Sequence, residues 1–81
     1  MIMQAITDPA QLGNAIRTAR KQAGLTQAQV ALTAGVGLRF VVDLEAGKST
    51  AQIGKTLQVI ATLGGRLMLE GWPVPADGAQ P

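Results

Sequence analysis

The amino-acid sequence predicts an all-α fold of four to five short helices, followed by one β-strand near the C-terminus. Along several stretches of the 81 residues, apolar side chains recur at spacings of three and four, a pattern typical of amphipathic helices. A glycine follows each of these stretches, and glycine commonly ends a helix. Residues 66–70 instead alternate between two faces, as in a strand, with Leu67 and Leu69 on the same side.

The first helix is predicted at about residues 9–23. Thr7 or Asp8 can cap its N-terminus, and Pro9 suits the first turn, where a missing N–H group costs nothing. Gly24 is the predicted stop. The stripe expected to face the core contains Leu12, Ala15, Ile16, Ala19 and Ala23.

The second and third helices are short and are separated by a glycine turn. The second runs from a cap at Thr26 to Ala34, and the third covers about residues 38–45. Gly35 ends the second helix in the left-handed conformation that glycine adopts without steric cost, and Gly47 ends the third. The residues predicted to face the core are Val30, Ala31, Val41 and Leu44, with Phe40 beside them.

The fourth helix is predicted to begin at Ser49 or Thr50 and to end at the glycine pair 64–65. Its expected core side chains are Ile53, Leu57 and Ile60, flanked by Val59 and Leu63.

The predicted strand also indicates that the protein pairs with a second copy. A strand in a helical chain leaves backbone groups unpaired, and the brief N-terminal segment MIMQAI is the only other strand candidate. Pairing with the same strand of a second copy satisfies those groups, so we expect a homodimer. Residues 1–72 then form one binding and dimerisation domain, and residues 73–81 a flexible tail. The predicted dimer strand consists of Arg66, Leu67, Met68, Leu69 and Glu70.

Composition excludes most catalytic and metal-binding functions. The chain has no cysteine, histidine or tyrosine, and its acidic residues are scattered, so it lacks a constellation for acid–base, nucleophilic or metal chemistry. We therefore expect a protein that is not an enzyme and that needs no cofactor. Neither a membrane-spanning run nor a signal peptide is recognisable, which makes the cytoplasm the expected location. A net charge of +2 permits a nucleic-acid partner.

The spacing of small and apolar residues in the second and third helices predicts a helix-turn-helix. Two short helices that cross closely need a small residue at the contact, which Ala31 supplies, and a tight turn, which Gly35 permits. Val41 and Leu44 then anchor the second of these helices, so that its opposite face is presented outward. Such a face is suited to the major groove of DNA.

Three stretches of the sequence resemble a known family: TDPAQLGNAIRTARKQAGLTQ at residues 7–27, GVGLRFVVDLEAGKST at 35–50 and KTLQVIATLGGRLMLEGW at 55–72. They look like the HipB-type antitoxins of the Xre, or lambda-repressor-like, helix-turn-helix family. The resemblance implies a lambda-repressor-like bundle that dimerises, binds double-stranded DNA at an inverted-repeat operator and represses its own operon. It also implies a HipA-like serine/threonine kinase toxin as the protein partner.

The resemblance further implies roles for individual residues. Positions that contact the phosphate backbone in such proteins are occupied by Thr26, Gln27 and Lys48. Positions on the exposed side of the recognition helix, most of which reach base edges, are occupied by Gly37, Leu38, Arg39 and Asp43. The positions of an internal ion pair are occupied by Arg20 and Glu45.

Side-chain chemistry supports these roles unequally. Arg39 can direct two donors to the O6 and N7 atoms of a guanine, whereas Leu38 can only touch a thymine methyl group. Asp43 would repel phosphate and could accept only from a cytosine amine. Val42 adds a second apolar residue on a face that should be polar. Three hypotheses therefore stay open: an antitoxin-repressor, a stand-alone Xre-type repressor, and a protein-interaction module that does not bind DNA.

Overall fold

The computed structural model describes residues 3–73, and these contain four helices and no β-strand. Their bounds are α1 Pro9–Gln22, α2 Gln27–Ala34, α3 Leu38–Glu45 and α4 Ile53–Thr62. The helices enclose one small core, in which α3 contacts α1 and α2, and α2 also contacts α4. Within residues 3–73, no helix combines the length and the hydropathy needed to cross a lipid bilayer.

Local hydrogen bonds explain where α1 and α2 begin. Asp8 is the N-cap of α1, and its Oδ1 accepts from the backbone N–H of Gln11 at 2.8 Å. Thr26 is the N-cap of α2, and its Oγ1 accepts from the backbone N–H of Gln29 at 3.1 Å. The Gln29 side chain in turn accepts from the N–H of Thr26 at 2.8 Å, which completes a capping box. Both predicted starts are confirmed.

The turn between α2 and α3 depends on Gly35. This residue has φ 72° and ψ 31°, the left-handed conformation predicted from the sequence. The N–H of Val36 then donates to the carbonyl of Ala31 at 3.0 Å and closes the end of α2. Gly37 follows as the N-cap of α3 in extended conformation, so α3 begins at the predicted residue.

Small aliphatic side chains fill the core. Its buried hydrophobic members are Ile16, Val30, Ala31, Ala34, Val41, Leu44 and Val59. The largest of the fully buried side chains are valines, which lets the helix backbones approach closely. Gly13 marks the tightest approach, because a Cβ there would lie 2.5 Å from the carbonyl oxygen of Leu44 in α3.

The start of α4 differs from the prediction. The helix begins at Ile53, after an N-cap at Gln52 whose side chain makes no capping hydrogen bond. Ser49 and Thr50 form a turn ahead of the helix, so the prediction of a start there is wrong. The end of α1 also falls one residue earlier than predicted, since Ala23 is the C-cap.

The face of α4 that meets the core also differs from the prediction. Thr56 and Val59 are buried, whereas Ile53 and Leu57 are exposed. Thr56 can be buried because its hydroxyl donates to the carbonyl one turn earlier at 2.8 Å, which satisfies its polar group. The assignment of Ile53 and Leu57 to the core is therefore wrong.

Residues 66–70 form no β-strand in the single chain, and their side chains are all exposed. A strand requires a hydrogen-bonding partner, and the described part of the chain supplies none. Pairing across a homodimer therefore stays a prediction. Residues 3–6 likewise have no regular secondary structure. Apart from Pro73, the predicted tail at 73–81 lies outside the described residues.

Candidate nucleic-acid interface

Packing between α2 and α3 determines which face of α3 is presented outward. Ala31 and Ala34 of α2 are buried, as are Val41 and Leu44 of α3. These side chains hold the inner face of α3, as the sequence predicted for Ala31, Val41 and Leu44. The residues on its opposite side are therefore available to a partner.

The first turn of α3 presents one apolar and one basic side chain. Leu38 is half-exposed, and the side chain of Arg39 is 84% exposed. Phe40 is turned toward the core and is partly buried, with the ammonium of Lys55 5.9 Å from its ring centroid. At this distance a cation–π contact forms. The outward surface at the start of α3 thus consists of Leu38 and Arg39.

Three charged side chains meet on the outward side of α3, and we call this cluster the Asp43 triad: Arg39, Asp43 and Lys48. The carboxylate lies between the two cations, with Oδ1 3.2 Å from Nε of Arg39 and Oδ2 3.6 Å from Nζ of Lys48. The side chains of Arg39, Asp43 and Lys48 are 84%, 24% and 53% exposed. The triad therefore lies largely in water, where such pairs are weak.

The loop that carries Lys48 is fixed to the helices on both sides. The N–H of Lys48 donates to the carbonyl of Asp43 at 3.0 Å, which ties the loop to α3. Gly47 has φ 85°, and a Cβ there would lie 2.9 Å from Cα of Ala10 at the start of α1. Only glycine fits this position, and Lys48 is consequently held beside α3.

A second charged cluster joins α1, α2 and α3 from within, and we call it the Arg20–Glu45 cluster: Arg20, Glu45, Gln27 and the carbonyl of Leu25. Nε and Nη2 of Arg20 donate to the two carboxylate oxygens of Glu45 at 2.6 and 3.0 Å. Nη1 of Arg20 donates to the Leu25 carbonyl at 2.9 Å, and Nε2 of Gln27 donates to Glu45 at 3.1 Å. The Arg20 and Glu45 side chains are only 11% and 4% exposed.

Mutual hydrogen bonding keeps both members of this pair charged. The hydrogen bond with Glu45 raises the pKa of Arg20 above its ordinary value, against the opposing effect of burial. Burial by itself would raise the pKa of Glu45, but the hydrogen bonds from Arg20 and Gln27 lower it below its ordinary value. The buried carboxylate is therefore ionised at neutral pH.

The structure confirms the predicted cap at Thr26 and gives Gln27 a structural role that sequence reasoning missed. The Thr26 hydroxyl caps α2, and the Gln27 amide binds Glu45. Their predicted phosphate contacts stay predictions. No spacing in the sequence points to the Gln27 contact. The Arg39–Asp43 pair, which was also missed, could have been found from opposite charges four residues apart on a helix.

Val42 is half-buried, although the sequence suggested an exposed position. It lines a cleft of about 320 Å³ together with Arg17 of α1 and members of the Arg20–Glu45 cluster. The exposed apolar surface of α3 is therefore smaller than expected. This removes one of the two residues that favoured a protein-interaction module without DNA binding.

The outward face of α3 has the chemistry of a surface that recognises duplex DNA. A single α-helix fits the major groove, where guanine presents two acceptors to an arginine. Lys48 lies beside the helix, where a cation can bind phosphate. Among the described residues, no group of three or more histidine, cysteine, aspartate or glutamate side chains could hold a metal ion.

Comparison with known sequences agrees with this fold and surface. Residues 16–66 match the family model described as Helix-turn-helix. A protein of Sinorhizobium fredii (strain NBRC 101917 / NGR234), described as the uncharacterized HTH-type transcriptional regulator y4mF, is 61% identical over 59 residues. The match covers 73% of this chain and 78% of that protein. The chain therefore belongs to the helix-turn-helix family, a class of DNA-binding transcriptional regulators.

Solved structures of HipB share the fold. A complex of a HipB variant with an O2 20mer has a TM-score of 0.78 and 26% identity, covering 84% of this chain and 94% of that chain. A HipA–HipB–O2–O3 complex contains a chain with a TM-score of 0.77 and 25% identity, covering 83% of this chain and 94% of that chain. The predicted resemblance to HipB-type proteins of the Xre-like family is confirmed.

Proposed function

We propose that this protein is a dimeric DNA-binding antitoxin that represses its own operon and neutralises a HipA-like serine/threonine kinase toxin. The observation that carries the proposal is the outward face of α3 in a HipB-like fold, where Arg39 is exposed and Lys48 lies beside it in the following loop. One solved HipB structure includes a 20mer, and another includes HipA.

In the proposed complex, α3 lies in the major groove. Arg39 donates to a guanine, and Leu38 contacts a neighbouring thymine methyl group. Gly37, at the N-terminus of α3, has no side chain to hold the helix away from the bases. Phosphates on either side of the groove are bound by Lys48 and by the start of α2, at Thr26 and Gln27.

The dimer is proposed from residues 66–70. These residues alternate between two faces, are exposed in the single chain, and lack a strand partner within residues 3–73. Pairing with a second copy would satisfy their backbone groups. Two recognition helices related by this two-fold axis would bind half-sites about one duplex turn apart.

DNA binding can be tested by fluorescence anisotropy on a duplex from the region upstream of the protein's own gene. The wild type should bind with an affinity that falls steeply as salt rises, because phosphate contacts release counterions. Arg39→Ala should weaken binding by roughly tenfold or more. Inserting about half a turn of duplex between the half-sites should prevent the two recognition helices of the dimer from binding at the same time.

Lys21→Ala is the matched control, because it removes the same charge from an exposed position at the end of α1. Its affinity should stay close to that of the wild type. Equal losses of affinity in Lys21→Ala and Arg39→Ala would mean that only net charge contributes to binding and that α3 does not recognise bases. Absence of wild-type binding at low salt would contradict the repressor proposal.

The antitoxin part of the proposal can be tested with the product of the adjacent gene. A kinase-like protein encoded there should co-elute with this protein in size-exclusion chromatography and should lose kinase activity in the complex. If the adjacent product neither binds nor is inhibited while upstream DNA is still bound, the protein is a stand-alone repressor instead.

A further inference from the structure

Helix stability does not account for the order of the charges along α3. Arg39 lies in the first turn, and Asp43 lies four residues later, close to the C-terminal end. The helix dipole favours the opposite order, in which an acidic residue precedes a basic one. An ion pair this exposed also contributes little to folding. Stabilisation of the helix therefore does not account for the pair.

The contact with Asp43 occupies only one part of the Arg39 guanidinium. The carboxylate lies against Nε at 3.2 Å. The closest approach of the guanidinium to the carboxylate is at Nε, and among the described residues neither terminal nitrogen of Arg39 makes a hydrogen bond. The two terminal nitrogens form a parallel pair of donors, which matches the O6 and N7 acceptors of guanine.

The Asp43 carboxylate is itself held from the other side. Its second oxygen lies 3.6 Å from Nζ of Lys48, and it is the least exposed member of the triad. The loop bearing Lys48 is fixed by its backbone bond to Asp43 and by the close approach of Gly47 to α1. The Asp43 carboxylate is thus less free to move than the long, exposed Arg39 side chain, and it can restrict the positions that the guanidinium adopts.

We propose that Asp43 is a positioning residue, whose carboxylate orders the Arg39 guanidinium for guanine recognition and does not itself bind a base. This inference rests on the proposed function and deepens it. Ordering the arginine before DNA arrives reduces the entropy lost on binding the correct base. A carboxylate near the phosphates weakens binding to every sequence. Asp43 therefore raises specificity while it lowers general affinity.

The test compares Asp43→Asn, Arg39→Ala and the double variant by fluorescence anisotropy. The probes are the upstream duplex, the same duplex with each guanine–cytosine pair replaced singly by adenine–thymine, and an unrelated duplex of equal length. Asp43→Asn should reduce the preference for one guanine by roughly tenfold and should bind the unrelated duplex more tightly. Arg39→Ala should lose the same preference. In the Arg39→Ala background, Asp43→Asn should change that preference no further.

Asp8→Asn is the matched control, because it also removes one negative charge and asparagine caps a helix as well as aspartate does. It should keep the guanine preference. The inference is overturned if Asp43→Asn leaves the guanine preference unchanged. It is also overturned if Asp43→Asn reduces a base preference by the same factor in the Arg39→Ala background as in the wild type. A wild type that discriminates against none of the altered duplexes overturns the proposed function together with this inference.

Discussion

The Arg20–Glu45 cluster and the Asp43 triad are each built around an arginine and a carboxylate, but they differ in their contact with water. Arg20 and Glu45 are almost completely buried; two hydrogen bonds join them to each other, and two more join them to Leu25 and Gln27. The triad is mostly exposed, and its two contacts are longer. Burial makes the first cluster costly to disrupt, whereas solvent screening limits the contribution of the second one to the stability of the fold.

Both clusters include a carboxylate from α3. Glu45 faces inward and joins the end of α3 to α1 and α2. Asp43, two residues earlier, faces outward beside Arg39 and Lys48. One acidic residue therefore fixes the orientation of the helix, and the other belongs to the surface that the helix presents. The predictions below separate these two roles.

The largest expected effect is on stability, from Glu45→Ala. This variant leaves the Arg20 guanidinium buried without its partner, and we expect a loss of about 3–5 kcal/mol in the free energy of unfolding. Asp43→Ala removes a carboxylate from the same helix but should cost less than about 1 kcal/mol. Urea denaturation of both variants measures the difference. Equal losses of unfolding free energy in the two variants would contradict the distinction between a structural Arg20–Glu45 cluster and an exposed Asp43 triad.

An intermediate effect is expected from Gly13→Ala, which alters the packing behind the Arg20–Glu45 cluster. The added Cβ would meet the carbonyl oxygens of Leu44 and Glu45, so α1 and α3 must separate, at a cost of about 1–3 kcal/mol. Gly54→Ala is the matched control, because a Cβ at that helical position meets no atom within 4 Å. It should stabilise the protein by about 0.5–1 kcal/mol. The two changes in thermal unfolding midpoint should have opposite signs.

The smallest effect is expected from acidification. The pKa of Glu45 is lower in the folded protein than in the unfolded chain, so the unfolded chain binds more protons as pH falls. The stabilisation is complete above the unfolded-state pKa and is lost as pH drops through the lower folded-state pKa. Glu45→Gln should be less stable near neutral pH but should lose less stability on acidification. A slope identical to that of the wild type would exclude Glu45 as the titrating group.

The sequence predicted the first three helices well because their ends depend on local chemistry. Asp8 and Thr26 cap neighbouring N–H groups, and Gly35 adopts a conformation that other residues avoid. The fourth helix was harder to predict. Its N-cap makes no side-chain hydrogen bond, and the burial of Thr56 depends on a hydroxyl contact that no apolar pattern reveals. Residues 66–70 form no strand in the single chain, and the strand predicted there stays a prediction that requires a second copy.

The candidate site was only partly predictable, because some of its contacts join residues far apart in the sequence or depend on the path of a loop. Arg20 and Glu45 are 25 residues apart, and only family resemblance joined them. The exposed position of Arg39 followed from the inward packing of Val41 and Leu44. The contact between Lys48 and Asp43 has no signature in spacing, because it depends on the path of the loop through Gly47.

The separation of inner and outer positions on α3 also bears on how such proteins diverge. Val41, Leu44 and Glu45 hold the helix in place, whereas Leu38 and Arg39 contribute little to the core. Mutations at the outer positions can therefore accumulate without unfolding the protein. If the proposed function holds, one or two such substitutions in a duplicated gene would change the operator that the protein recognises while the fold is kept.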